Sequence, residues 1–338
     1  MKLLFLLRLI FNAVFLLAVP WLTVSVAQPT GEHSATTDSG ARLLRFEANP
    51  AMGFHFPYFV FVPAGTPLHD TRFLLVEPNN TGVVNDTLAV HERAAYYAAR
   101  TSSVGNYVAK ALRVPLLVPV FPRPFSDSLT YTHALDRDAV LIAQGPLKRL
   151  DLQLLAMIEN ARRQLDTLGI VIHQKVWLTG FSASGTFVNR LTMIHPDRIA
   201  ATACGGINAM PILPLNTLRG RPLAYPLGLY DFKQCFGKDP DLKMYQQVPQ
   251  FLYMGELDEN DAALYDDAYS DEERGVIFSV IGKPMFPDRW ATCEIAYRMG
   301  GATAWFKTYS GIGHGTDDKI NTEVARFFQT AMNPPGIK

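Results

Sequence analysis

An excess of charge of either sign is missing from this chain: 31 Lys and Arg are matched by 31 Asp and Glu, for a formal net charge of zero. Without a basic field nothing holds a phosphate backbone, which argues against a nucleic-acid partner. Cysteine is scarce, with only Cys204, Cys235 and Cys293, and none has the neighbouring His and Asn pattern of a thiol protease. Several ligand motifs fail by one residue. HERAA begins like a zinc-protease helix at His91 and Glu92, but Ala95 stands where the second ligand belongs. The acidic run from Asp258 to Glu273 lacks a calcium loop's ligand and glycine, because Ala262 and Ala263 occupy those positions. GIGHGT ends on Thr316 where the dinucleotide fingerprint needs glycine, and no Walker lysine motif occurs. No metal or organic cofactor is expected.

Long hydrophobic runs are confined to the start of the chain. Met1, Lys2 and Arg8 precede FNAVFLLAVPWLTVSVA, with the small residues Ser25 and Ala27 where a signal peptidase reads. Residues 1–27 therefore read as a signal peptide; an uncleaved anchor over residues 3–27 is the alternative, opposed by Arg8 and Pro20. Export, secreted or periplasmic, follows from either reading, with no membrane attachment after cleavage. Export permits disulfides, and Cys235 and Cys293, both in loop-rich stretches, are the candidate pair; Cys204 in IAATACGG reads as a packed free thiol. The sequons at Asn79 and Asn85 matter only in a host that glycosylates.

After a polar linker over residues 28–40, short apolar runs alternate with helical patterns. YFVFVPA, RFLLVEP, PLLVPVF, KVWLTG, IAATACGG, QFLYMGE and TAWFKTY are rich in β-branched and aromatic residues and bounded by Pro, Gly and Asn. Of these, YFVFVPA, RFLLVEP and PLLVPVF read as strands buried on both faces, and the other four as further strands. Between them lie helical patterns such as LKRLDLQLLAMIENARRQLDTLG, whose apolar residues recur at three and four and which stops at Gly169. The alternation predicts one mostly parallel sheet with helices on both faces, spanning residues 41–338. Segments at about 211–249 and 264–286 break the rhythm and read as lid insertions over the ligand crevice. Their aromatics, Tyr225, Tyr230, Phe232, Tyr245, Phe278 and Phe286, suggest an uncharged acyl or aryl substrate.

The chemistry centres on GFSASG, residues 180–185, directly after an apolar strand and directly before a helix. A sharp strand-to-helix turn that presents a nucleophile needs small residues two before and two after it. Ser182 meets this, with Gly180 before it and Ser184 in place of the usual second glycine; Ser184 has no glycine two before it. A serine hydroxyl needs a base, and the base an orienting carboxylate, in the chain order Ser, acid, His. Asp258 lies three residues past the end of a strand in FLYMGELDEND, with Asp261 and Glu256 as alternatives, and His314 lies between glycines in YSGIGHGTDD after the last strand. The other seven histidines fall before or beside the turn. Oxyanion donors are expected from the backbone of Ala183 and, in the loop after RFLLVEP, of Asn80, with Asn79 as fallback.

On GFSASG, GELDEND and GIGHG the chain resembles the α/β-hydrolase superfamily of serine hydrolases, with secreted polyester depolymerases and feruloyl esterases the most similar in kind. The resemblance implies the α/β-hydrolase fold, a sheet of about eight mainly parallel strands, and ester hydrolysis through an acyl-enzyme on a small-molecule or polymeric ester. A peptidase on the same scaffold and a catalytically silent binding protein are the alternatives. The signal reading predicts that exported protein starts at Gln28; intact-mass measurement of material from the export compartment checks it, and retention of residues 1–27 contradicts cleavage.

Overall fold

The seven apolar runs become strands of one sheet, and two further segments extend its antiparallel edge. The computed structural model describes residues 35, 36 and 40–332; the segment 1–27 read as a signal lies outside them. In chain order the strands are β1 (Ala35–Thr36), β2 (Arg42–Phe46), β3 (Tyr58–Val62), β4 (Leu75–Val76), β5 (Leu116–Pro119), β6 (Val176–Phe181), β7 (Ile199–Gly205), β8 (Thr217–Leu218), β9 (Arg221–Pro222), β10 (Gln250–Gly255) and β11 (Ala304–Tyr309). The main sheet runs β1-β2-β3-β5-β4-β6-β7-β10-β11, and β8 with β9 forms a separate two-stranded hairpin. From β5 to β11 every neighbouring pair is parallel. At the other edge β1, β2, β3 and β5 pair antiparallel. β1 falls within the stretch read as linker.

The two faces follow from side-chain alternation along each strand. Tyr58, Val60 and Val62 of β3, Leu178 of β6 and Met254 of β10 face one core, packed by helices Leu150–Thr167, Ala183–Ile194 and Trp290–Met299. Phe59 and Phe61, Trp177, and Phe251 with Tyr253 face the other, packed by helices Leu88–Arg100, Val104–Leu112 and Asp318–Met332. The helical stretch after Leu88 is two helices rather than one. Ser103 breaks it by capping the second, its hydroxyl accepting from the Asn106 N–H at 2.9 Å. Among the described residues no helix is long and apolar enough to cross a membrane.

Parallel pairing brings the C-terminal ends of β4, β6, β10 and β11 to one rim. Gly180 and Phe181 pair with Cys204 and Gly205, and Gly255 pairs with Tyr309, so the segments beginning at residues 77, 182, 256 and 310 emerge side by side. Glu77 stands where the first of these leaves the sheet. It is 4% exposed, and it accepts from the Ser103 hydroxyl and, at 3.0 Å, from the Gly105 N–H.

All three cysteines are free thiols, which corrects the expected Cys235–Cys293 bridge. Cys293 is buried in helix Trp290–Met299 against the Ala209 carbonyl, and Cys235 lies in helix Phe232–Phe236 beside Arg137. Cys204 is fully buried in β7, as its sequence setting implies. Five of the six insertion aromatics are also redirected: Tyr225, Phe232 and Tyr245 are buried core, and Phe278 and Phe286 pack against it, whereas Tyr230 is 61% exposed and does not line the cavity that Ser182 lines.

Burial pushes Glu77 up to about 7 from an ordinary 4.5, opposed by the Ser103 and Gly105 hydrogen bonds. Its ionised form is the disfavoured one in the folded state. Its contribution is therefore most favourable below 4.5 and is lost as pH rises through about 7. Glu77→Gln should gain on wild type by about 1–3 kcal/mol between about pH 4 and about pH 8. Denaturant unfolding at the two pH values measures this; a pH-independent difference contradicts it.

Candidate active site

Ser182 is the residue between β6 and helix Ala183–Ile194, and its backbone sits at φ 62°, ψ −129°. A non-glycine residue in this region is strained and persists only when its surroundings over-determine it. Here they do so from four sides. The Ser182 N–H donates to the Gly205 carbonyl at 2.9 Å, tying the turn to β7, and the Ser182 carbonyl accepts from the Thr186 N–H at 3.0 Å. A Cβ at Gly180 would lie 2.5 Å from the Ser184 backbone, and one at Gly185 would lie 2.5 Å from the Gly205 carbonyl oxygen. Ser184 closes the turn, because its hydroxyl donates to the Phe181 carbonyl at 2.9 Å and accepts from the Phe181 N–H at 3.0 Å. It is 3% exposed and does not line the cavity, whereas Ser182 does. The two serines thus have separate jobs: Ser184 is a bolt in the turn and Ser182 is what the turn presents.

Asp258 and His314 meet at the same rim. His314 Nδ1 lies 2.8 Å from Asp258 Oδ2, the carboxylate fully buried and the imidazole 27% exposed. The Asn260 N–H donates to the other carboxylate oxygen at 2.9 Å. With Nδ1–H given to the acid, Nε2 is left as the acceptor. The imidazole rests on the Phe181 ring, centroid to centroid 5.0 Å. The other candidate acids are engaged elsewhere. Asp261 makes a bidentate pair with the fully buried Arg289 at 2.6 and 2.9 Å. Glu256 accepts from the Ser310 hydroxyl at 2.6 Å and the Gly311 N–H at 3.1 Å. Among the described residues the Ser182 hydroxyl makes no hydrogen bond, and Nε2 of His314 meets the Asn260 side-chain amide at 3.3 Å instead.

The two expected oxyanion donors also reach the cavity. Ala183 and Asn80 both line it, and among the described residues neither backbone N–H donates to a protein acceptor. Ala183 is the first residue of its helix, where N–H groups lack intrahelical partners and the helix end is positive. Asn79 does not line the cavity. Its side chain is 1% exposed and bridges Phe121 in both directions, donating to the carbonyl at 2.9 Å and accepting from the N–H at 2.8 Å. That burial also leaves its sequon with no surface asparagine to modify.

The cavity holds about 780 Å³, within the usual span for small-molecule sites. Residues that carried no sequence signal shape it: Arg123, Tyr131, Arg190, Asn260, Tyr265 and Tyr269. Arg123 stacks over the Tyr131 ring at 3.8 Å and pairs with Asp267. Arg190 donates to the Ala134 carbonyl and the Tyr269 hydroxyl, each at 3.0 Å. The 264–286 insertion supplies a wall through residues 264–269, whereas no residue of 211–249 lines this cavity. No group of His, Cys, Asp and Glu among the described residues is arranged to hold a metal ion.

Neither a protein-family model nor a curated protein matches the sequence. Solved structures do. Poly(aspartic acid) hydrolase-1 from Sphingomonas sp. KT-1 superposes with a TM-score of 0.54 at 17% identity, over 89% of this chain and 97% of its own. An S-formylglutathione hydrolase from Agrobacterium tumefaciens gives 0.52 at 12% identity, over 91% and 99%. At such identities the likeness is one of architecture. Together with the strand order and the rim on which the candidate residues gather, it shows that the chain has the α/β-hydrolase fold.

Proposed function

We propose that the protein is a serine hydrolase that cleaves carboxylic esters through an acyl-enzyme. The observation that carries this reading is the buried Asp258 carboxylate 2.8 Å from His314 Nδ1, at the mouth of a cavity lined by the strained Ser182. An ester bound there presents its carbonyl carbon to Ser182 Oγ. His314 Nε2 takes the hydroxyl proton as the bond forms, and Asp258 stabilises the resulting imidazolium. The negative charge that develops on the carbonyl oxygen falls to the unpaired N–H groups of Ala183 and Asn80. The tetrahedral intermediate collapses, the alcohol leaves with the proton returned from His314, and water repeats the sequence on the acyl-enzyme. That both structural neighbours are named as hydrolases supports the class.

The cavity wall bears on the substrate. Of the insertion aromatics only Tyr265 and Tyr269 line the site, beside Tyr131 and the charged side chains of Arg123, Arg190, Asp266 and Asp267. A polar acyl or alcohol group suits this wall better than the aryl group suggested by the insertion sequence. Export, supported by the apolar stretch before Ala27, places the reaction outside the cytoplasm.

Ser182→Ala should lower turnover of a p-nitrophenyl ester on the order of 10³-fold or more and remove labelling by a fluorophosphonate probe. Ser184→Ala should keep turnover within about tenfold and cost about 1 kcal/mol of stability, one hydroxyl's hydrogen bonding. Steady-state kinetics and denaturant unfolding on both variants check the pair. Turnover that survives in Ser182→Ala moves the nucleophile elsewhere, and an unlabelled but folded wild type favours a silent binding protein.

A further inference from the structure

The acceptor nitrogen of His314 is already occupied. A neutral imidazole with its Nδ1–H given to Asp258 has one in-plane lone pair left, on Nε2, and the side-chain amide of Asn260 donates to it at 3.3 Å. The same lone pair must take the Ser182 proton, and the Ser182 hydroxyl makes no hydrogen bond among the described residues. Two donors and one acceptor site make Asn260 and Ser182 rivals.

Asn260 is held in this place from several directions. Its N–H donates to Asp258 Oδ1 at 2.9 Å. The hydrogens of its amide nitrogen serve His314 and, at 3.4 Å, the Asn208 side chain. Its amide oxygen accepts from the Tyr265 hydroxyl at 3.4 Å. Asn208 is itself anchored, because its carbonyl accepts from the fully buried Arg289 at 3.2 Å. Asn260 and Tyr265 both line the cavity that holds Ser182 and His314, so a ligand entering that space touches the amide.

We infer, on the reading that Ser182 and His314 act together, that Asn260 is a positioning residue that keeps the base occupied in the empty enzyme and yields it when substrate enters. The displacement is a trade of acceptors. An oxygen of the bound substrate offers the amide another partner, the contact to Nε2 lapses, and the lone pair turns to the Ser182 hydroxyl. The bonds to His314, Asn208 and Tyr265 at 3.3–3.4 Å are long ones, so the exchange loses little. The bond to Asp258 runs through the Asn260 backbone rather than its side chain. The carboxylate and imidazole therefore keep their alignment while the amide moves. Tyr265 couples this exchange to the loop that walls the cavity.

A small fluorophosphonate reports on the base without needing Asn260 for its own binding. The full chain as wild type, Asn260→Ala and Tyr265→Phe is labelled, the second-order rate of Ser182 modification is measured, and the melting temperature is recorded beside it. Removing one competing hydrogen bond should speed labelling of Asn260→Ala about three- to tenfold. Tyr265→Phe, which only frees the amide to turn, should speed it about twofold, given that bond's length. A purely structural role would instead slow labelling as the melting temperature falls. Labelling of Asn260→Ala at or below the wild-type rate with an unchanged melting temperature overturns the proposal. Should Asn260→Ala fail to fold, an unchanged rate in Tyr265→Phe overturns it. If wild-type Ser182 is not labelled at all, the hydrolase reading itself falls, an outcome distinct from equal rates.

Discussion

The site hangs on one backbone conformation, the positive φ of Ser182. Such a conformation costs on the order of 1–3 kcal/mol at a residue with a side chain, and the surrounding structure supplies what holds it. Gly180 and Gly185 leave room where any Cβ would strike backbone, and the Ser184 hydroxyl partners both the N–H and the carbonyl of Phe181. The constraint extends beyond the turn. Gly205, whose carbonyl receives the Ser182 N–H, could not carry a Cβ either, because it would fall 2.2 Å from the Tyr253 ring of β10. The turn, β7 and β10 are therefore one packed unit, and β10 is the strand that delivers Asp258. Strain at Ser182 and placement of Asp258 share a cause.

The loop beyond Asp258 and the cavity wall are ordered differently, by arginines. The stretch after β10 has little regular structure beyond one short 3₁₀ turn, Ala262–Leu264, so backbone pairing cannot fix it. Arg289 grips Asp261, Arg123 grips Asp267, Arg274 grips Asp266 and Asp271, and Arg190 donates to the Tyr269 hydroxyl. The pairs of Arg289 and Arg123 are largely buried and add little net stability, because desolvation offsets the attraction, and those of Arg274, whose carboxylate partners are exposed, add little because water screens them. What they do is select one arrangement of a loop that hydrophobic burial alone would leave undetermined. Arg190 donates only to neutral oxygens and forms no ion pair among the described residues, while the carboxyl of Asp136 in its field is driven up to about 7 by burial.

These two kinds of order explain what could be read from the sequence. Runs buried on both faces declare themselves by composition, so YFVFV, VWLTGF and QFLYMG became strands at the expected places. β2 escaped notice because RLLRF is only partly buried and carries an arginine at its first and fourth positions. Ser182, Asp258 and His314 were legible because each follows an apolar strand within a few residues and sits near glycine. Asn260 was not, since its partners His314 and Asn208 lie more than fifty residues away on either side. The cysteines and five of the six named insertion aromatics misled for a related reason: their residue types suit a loop near a ligand, and only packing shows that they turn inward, Tyr230 alone of the six staying exposed.

The loop after β4 carries the most instructive departure from pattern. Loops that bend a backbone N–H toward an oxyanion commonly rely on consecutive glycines, and Pro78-Asn79-Asn80 has none. Its geometry is imposed from behind instead. The Asn79 amide pairs with both backbone groups of Phe121 as a strand neighbour would, and His133 adds a hydrogen bond from Nε2 to the same carbonyl at 2.8 Å. Burial holds His133 down to about 3, which favours the neutral ring and leaves its Nε2–H as a donor. With Asn79 fastened to Phe121 just past the end of β5, the chain turns at Asn80 with no partner for its N–H among the described residues. A side chain that imitates backbone pairing thus does what glycine freedom does elsewhere, and the Asn80 N–H is left open by rigidity rather than by flexibility.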